Sequence, residues 1–129
     1  MSKSNILAAG AVAAMMALGA GAAQAQSWER FTYQDGVIVE YSVRSDSDGF
    51  RVAWRCRNMT SQAVSCSVGA GQNKQYNCYR GSSRIGQTGA LGERATVRAE
   101  GVYTFPGEAA CRGTGATSVR PFAHISIEN

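Results

Sequence analysis

Phe50-Arg51-Val52-Ala53-Trp54-Arg55-Cys56-Arg57 changes character at every step, apolar at the even positions and basic or small at the odd ones. Side chains of an extended strand point alternately to its two faces, so Phe50, Val52, Trp54 and Cys56 share one face and Arg51, Ala53, Arg55 and Arg57 the other. A helix would scatter the four apolar residues around its axis. The stretch therefore predicts a half-buried strand with Trp54 in a core and an arginine row in solvent.

The same period extends outward in both directions. Upstream, Gln34-Asp35-Gly36 reads as a turn that opens a strand with Val37, Val39, Tyr41 and Val43 on the core face. Ser45-Asp46-Ser47-Asp48-Gly49 reads as the turn into the Phe50 strand. Downstream, Val64, Cys66 and Val68 resume the inward parity, and a turn centred near Gln72 leads to Tyr76 and Cys78. Gly81 to Gly92, with four glycines, reads as a long flexible connection. Ala95, Val97 and Ala99 start a strand that continues through Val102, Tyr103 and Phe105 with a bulge at Gly101. The last strand carries Val119, Pro121, Ala123, Ile125 and Ile127, and Pro121 marks it as an edge or as beginning after that residue.

Composition agrees with strands. Of 129 residues, the first 25 form an export signal: Lys3, an uncharged Ala-rich run from Ile6 to Leu18, then the small-x-small site Ala23-Gln24-Ala25. Residues 26 to 129 are one domain whose aliphatic residues are 9 Val and 4 Ile against the single Leu91. Helical cores draw on Leu, so this usage favours β structure. Net charge after residue 25 is 12 basic less 9 acidic, too mild for a nucleic-acid tail, and no specific nucleic-acid partner is expected. The Ala and Gly of the signal make a poor spanning helix, so no stable membrane anchor is expected and the chain belongs in a periplasm, at a cell surface or outside the cell.

Six to seven short strands, no helix and no βαβ alternation predict an all-β domain: a small antiparallel β-sandwich, disulfide-stapled. Tyr76-Asn77-Cys78 resembles the tyrosine-corner pattern of immunoglobulin-like sandwiches, with Trp54 as the core tryptophan. In that family the tryptophan lies between two distant cysteines, whereas Trp54 precedes Cys56 here. The likeness implies an immunoglobulin-like architecture without assigning the family.

The four cysteines, Cys56, Cys66, Cys78 and Cys111, contain no C-x-x-C pair, and the sole histidine, His124, is remote; the pattern predicts two disulfides rather than a zinc site. Three connectivities are open. A hairpin centred near Gln72 sets Cys66 opposite Cys78, about 4.5 to 5.5 Å apart at Cα, which favours Cys66 with Cys78 and leaves Cys56 with Cys111. Cys56 with Cys66 is disfavoured in that register, because Cys66 then faces Trp54 and the diagonal is about 7 to 8 Å.

Arg51, Arg55 and Arg57 are the candidate binding residues, since alternate strand positions repeat about every 6.5 to 7 Å and can meet successive anionic groups of a polymer. The competing expectation is a solvated face neutralised by neighbouring carboxylates. Asp46-Ser47-Asp48-Gly49 resembles part of a calcium loop but lacks its closing acid, because the twelfth position is Arg57. His124 has no nucleophile beside it, so no catalytic residue, metal or cofactor is assigned. Trp28, Phe31 and Tyr33 form an aromatic lead-in, and Asn58-Met59-Thr60 fits a glycosylation sequon. The function expected is a non-enzymatic binding module for an acidic polysaccharide or an envelope protein. The alternatives are an inhibitor that inserts the Gly81 to Gly92 loop into an enzyme's cleft, and a small hydrolase.

Overall fold

The computed structural model describes residues 27–89 and 92–129; the expected export signal, its expected cleavage site before Gln26, and Leu91 lie outside the described residues. These form eleven strands and no helix: β1 Glu29–Gln34, β2 Val37–Asp46, β3 Gly49–Asn58, β4 Val64–Val68, β5 Lys74–Arg80, β6 Ser83–Gly89, β7 Glu93–Val97, β8 Val102–Thr104, β9 Glu108–Ala110, β10 Ser118–Pro121 and β11 Ile125–Glu128. Every pairing is antiparallel, in three sheets. The first has the order β9-β3-β2-β1, with β8 on the other half of β3; the second is β10-β5-β6 and the third β11-β4-β7.

The all-β class and the two disulfides are as expected, whereas the strand count is larger because two stretches that read as single strands are broken and β1, β6 and β9 add to them. The last strand is interrupted at 122–124: β10 pairs with β5 and β11 with β4. Gly101 is not a bulge but a crossing between sheets, since β7 pairs with β4 and β8 with β3. The turn there uses the Glu100 N–H on the Thr60 carbonyl and the Gly101 N–H on the Arg98 carbonyl. The Gly81 to Gly92 connection is mostly strand: β6 pairs with β5 along an edge, after a tight turn in which Arg80 faces Ser83. The aromatic lead-in is also a strand, joined to β2 by the Asp35-Gly36 turn, where both residues have positive φ as a two-residue hairpin requires.

Valines and aromatics from all three sheets meet in one core. Val37 and Val39 of β2, Val52, Trp54 and Cys56 of β3, and Val64, Cys66 and Val68 of β4 are buried, as the alternation requires. Trp54 is 2% exposed, with Phe31 edge-on at 5.2 Å and Tyr41 tilted at 5.6 Å between ring centroids. Val43, assigned to the same face, is 37% exposed because β1 pairs with β2 only as far as Tyr41.

β4 and β5 do not form the expected hairpin. The 69–73 turn instead docks on the 122–124 break: the Gly69 N–H donates to the His124 carbonyl, the His124 N–H to Gln72 Oε1, and the Phe122 N–H to the Gln75 carbonyl. Cys66 thus has Ala95 and Ile127 as strand neighbours, not Cys78. The favoured disulfide pairing is corrected accordingly. Cys66 faces Cys56 of the first sheet across the core and bonds to it, Cα to Cα 6.7 Å, and Cys78 bonds to Cys111 at 5.7 Å. Opposed inward positions of different sheets need no common register, so the diagonal that disfavoured Cys56 with Cys66 does not arise.

A buried polar cluster completes this core. The register of β5 skips Gln75, so Gln75 and Tyr76 are both buried. The Tyr76 hydroxyl donates to Glu108 Oε2 and accepts from Trp54 Nε1 at 2.8 Å and from Gln75 Nε2 at 3.0 Å. Gln75 Nε2 also donates to Glu108 Oε2 at 3.0 Å. Gln75 lies so close to Gly69 that a Cβ there would fall 2.0 Å from Oε1; with φ at +76° as well, that position calls for glycine. The tyrosine-corner likeness is not realised, because the Tyr76 hydroxyl bonds side chains rather than upstream backbone.

Peptide mapping without reduction is expected to recover Cys56 with Cys66 and Cys78 with Cys111. Loop-closure entropy makes replacing the second pair by Ala the costlier change, about 4 against about 3 kcal/mol, which urea unfolding of the two variants measures. Burial, followed by the bond to Glu108, raises the Tyr76 pKa well above its ordinary 10.0. The unfolded chain therefore releases this proton first: the contribution is complete below about pH 10 and is lost as pH rises further. Tyr76→Phe is expected to cost about 1 to 3 kcal/mol at neutral pH, by leaving buried partners unsatisfied, and to flatten the alkaline loss seen in unfolding curves from pH 8 to 11.

Candidate functional site

The outer face of the first sheet follows from the parity that fills the core. Directly opposed residues of antiparallel strands share a face, so the register places Arg30 of β1 beside Glu40 of β2 and Arg55 of β3. The next rows are Tyr33, Ile38, Arg57 and Val102 on one side, and Ser42 with Ala53, then Arg44 with Arg51, on the other. Including Asp46 at the hairpin end, five arginines share this face with two carboxylates. Much of the chain's cationic excess is thus gathered on one surface.

The structure brings Arg51, Arg55 and Arg57 onto this one face but gives them different surroundings. Arg55 Nε donates to Glu40 Oε1 at 2.6 Å, and its guanidinium stacks 4.3 Å above the Trp28 ring. Its side chain is 23% exposed, so it is a packed residue rather than a free surface charge. Arg57 Nε lies 3.7 Å from the same Glu40 oxygen, buried and without a hydrogen bond. Arg51 Nη1 donates to the Gly107 carbonyl at 2.7 Å, while its Nε is 3.7 Å from Asp46 Oδ2. The three are therefore not equivalent: the carboxylate directly opposite Arg55 engages two of them, the kind of neutralisation by neighbouring carboxylates that the competing expectation named.

Arg44 is the member that the strand-by-strand view passed over. It stands opposite Arg51 and lines, with Arg51, Ala53 and Gly107, a hollow of about 190 Å³. Its parity was visible in the sequence, but its partner across the hairpin required the turn to be placed exactly at Ser47 and Asp48, between Asp46 and Gly49. Within that turn Asp46 Oδ1 accepts from the Ser47 N–H at 2.8 Å.

A second, larger hollow of about 420 Å³ is lined by Asp35, Thr60, Ser61, Gln62, Ile127 and Asn129. Its wall is organised by Asn58, which is 1% exposed. Asn58 Nδ2 donates to the carbonyls of Gln62, Val97 and Arg98, and Oδ1 accepts from the Thr60 amide and hydroxyl. The sequon asparagine is therefore a structural knot, and in the folded protein its amide is not available for glycosylation. The His124 side chain is exposed, while its backbone holds the 69–73 turn.

Double-mutant cycles separate the two kinds of ion pair. Glu40 with Arg55, close and largely buried, is expected to show a coupling of about 1 to 2 kcal/mol in chemical unfolding. Asp46 with Arg51, wider and more exposed, is expected to give under about 0.5 kcal/mol. Equal couplings would mean that the two halves of the face are electrostatically alike.

Comparison with protein-family models, with curated proteins and with solved structures finds no match for this chain.

Proposed function

We propose that the mature protein is an exported, non-enzymatic β-sandwich of immunoglobulin-like architecture that binds an anionic polymer of the cell envelope, an acidic polysaccharide above all, on the outer face of its first sheet. The layered arrangement is supported by the links that join the sheets across one core: Cys56 to Cys66, and Trp54 Nε1 to the Tyr76 hydroxyl. Export is supported by the Ala23-Gln24-Ala25 site and by two disulfides, which persist in oxidising compartments. No helix among the described residues is long and apolar enough to cross a membrane.

The observation that carries the binding function is the gathering of Arg30, Arg44, Arg51, Arg55 and Arg57 on one sheet face against Glu40 and Asp46 alone. Such a face attracts a polyanion, and guanidinium forks match its oxygens. The aromatic partners of Arg55 and Arg30, Trp28 and Tyr33, add flat surface on which sugar rings can lie. The most chemically suggestive cluster elsewhere, Tyr76 with Glu108, is enclosed in the core, which favours binding over catalysis.

A protein partner is the second candidate, on a specific observation. Tyr33 and Val102, 58% and 57% exposed, flank Ile38 and Arg57 in one cross-strand row, an apolar stripe on the same face.

Salt dependence decides between them. Binding of the oxidised mature protein to immobilised polygalacturonate or dextran sulfate is expected at low ionic strength, weakening steeply toward physiological salt. Absence of binding to either polymer at low salt would overturn the polyanion function. Retention of an envelope protein insensitive to salt, and lost on Val102→Glu, would put the apolar stripe in its place.

A further inference from the structure

The arginines of the outer face divide into a pair that shares Glu40 and a pair, Arg44 and Arg51, for which Asp46 is the nearby carboxylate. Arg55 and Arg57 converge on Glu40, at 2.6 and 3.7 Å. Arg44 and Arg51 oppose each other directly across the β2–β3 hairpin, at a spacing where like charges repel. Among the described residues the Arg44 side chain has no hydrogen bond and no carboxylate within ion-pair distance, and it is exposed.

Arg51, by contrast, is fixed in place. Its stem lies against Gly107, where a Cβ would come within 3.1 Å of Cγ and 3.3 Å of Cδ, and this close approach brings Nη1 onto the Gly107 carbonyl. Nη2 is left without a partner among the described residues. The neighbouring row contains only Ser42 and Ala53, so the face is hollow just where the two guanidiniums stand, and they line the space of about 190 Å³ together with Ala53 and Gly107. Asp46 is the nearby counter-charge. The Ser47 N–H, and then Arg51, Arg112 and Arg44, hold its carboxyl below the usual range, so three arginines lie within electrostatic reach of this one carboxylate.

We infer that this hollow binds a tetrahedral oxyanion, a phosphate or sulfate group carried as an ester on the polymer. The polymer in that statement rests on the function proposed above; the anion site rests on the Arg44 and Arg51 geometry alone. Sites for whole small molecules usually span about 300 to 1,000 Å³, so the hollow suits one pendant group. A single guanidinium fork satisfies the two oxygens of a planar carboxylate, whereas an esterified phosphate or sulfate offers three oxygens in different directions, enough for the Arg44 fork and a further bond from Arg51 Nη2. Bound there, the anion also removes the repulsion between the two arginines.

The test is a titration of the oxidised protein with inorganic phosphate, sulfate and acetate at constant ionic strength, followed by NMR of the arginine Nε–H groups. Saturable shifts centred on Arg44 and Arg51 are expected with phosphate or sulfate, and none with acetate. The stronger of the two ions tells whether the natural polymer is phosphorylated or sulfated. Arg44→Gln, an exposed change, is expected to weaken binding about tenfold or more. Arg84→Gln, on the exposed edge strand β6, is expected to leave it unchanged. Shifts spread evenly over all arginines, equal binding of acetate, or no effect of Arg44→Gln would overturn the site. Saturation by phosphate without binding of any anionic polymer would uphold the site and remove the polymer. Polymer binding that survives Arg44→Gln but not Arg57→Gln would do the reverse.

Discussion

The hydroxyl of Tyr76 is the polar group around which the core is arranged. It meets Trp54 from β3, Gln75 from β5 and Glu108 from β9, three side chains that would each be costly to bury without a partner. Because those partners come from different sheets, their satisfaction sets how β5 sits over β3. The skipped register at Gln75 and the glycine at position 69 serve the same end, since one turns Gln75 inward and the other makes space for it. The disulfides on either side, Cys56 to Cys66 and Cys78 to Cys111, hold the arrangement around this cluster.

From that constraint the outer face follows. Once Val52, Trp54 and Cys56 are committed inward, strand geometry sends Arg51, Arg55 and Arg57 outward, and the hairpin adds Arg44 and Glu40 from β2. Core and candidate site are therefore two faces of the same strands. The site inherits rigidity from the core, because its arginines stand on paired backbone rather than on a loop. Within it, Glu40 engages Arg55 and Arg57, while Arg51 is held by the Gly107 carbonyl and Asp46.

Much of this was legible in the local sequence. The alternation from Phe50 to Arg57 contained the burial of Trp54 and the outward arginines, because strand parity is a property of neighbouring residues alone. The Asp35-Gly36 turn, the hairpin turn after Asp46 and the edge position of Pro121 were equally local. The errors came where a segment's state depends on what pairs with it. Ser83 to Gly89 is too rich in glycine and polar residues to declare itself a strand, yet pairing with β5 makes it one. Gly101 looked like a bulge within one strand because nothing nearby reveals that the chain changes sheets there.

The sequence by itself determined the all-β class, the presence of two disulfides and the division of β3 into an apolar and a basic face, all of which rest on composition, on cysteine count and on the period-two geometry of extended chain. Only the tertiary structure decided which cysteines bond, that Arg55 is stacked and neutralised while Arg44 is not, and that Asn58 is a buried knot rather than a surface sequon. Each of these depends on a neighbour distant in the chain. Cys66 meets Cys56 across the core because β4 pairs with β7 and β11 instead of folding back on β5, and no local pattern specifies that choice of partners.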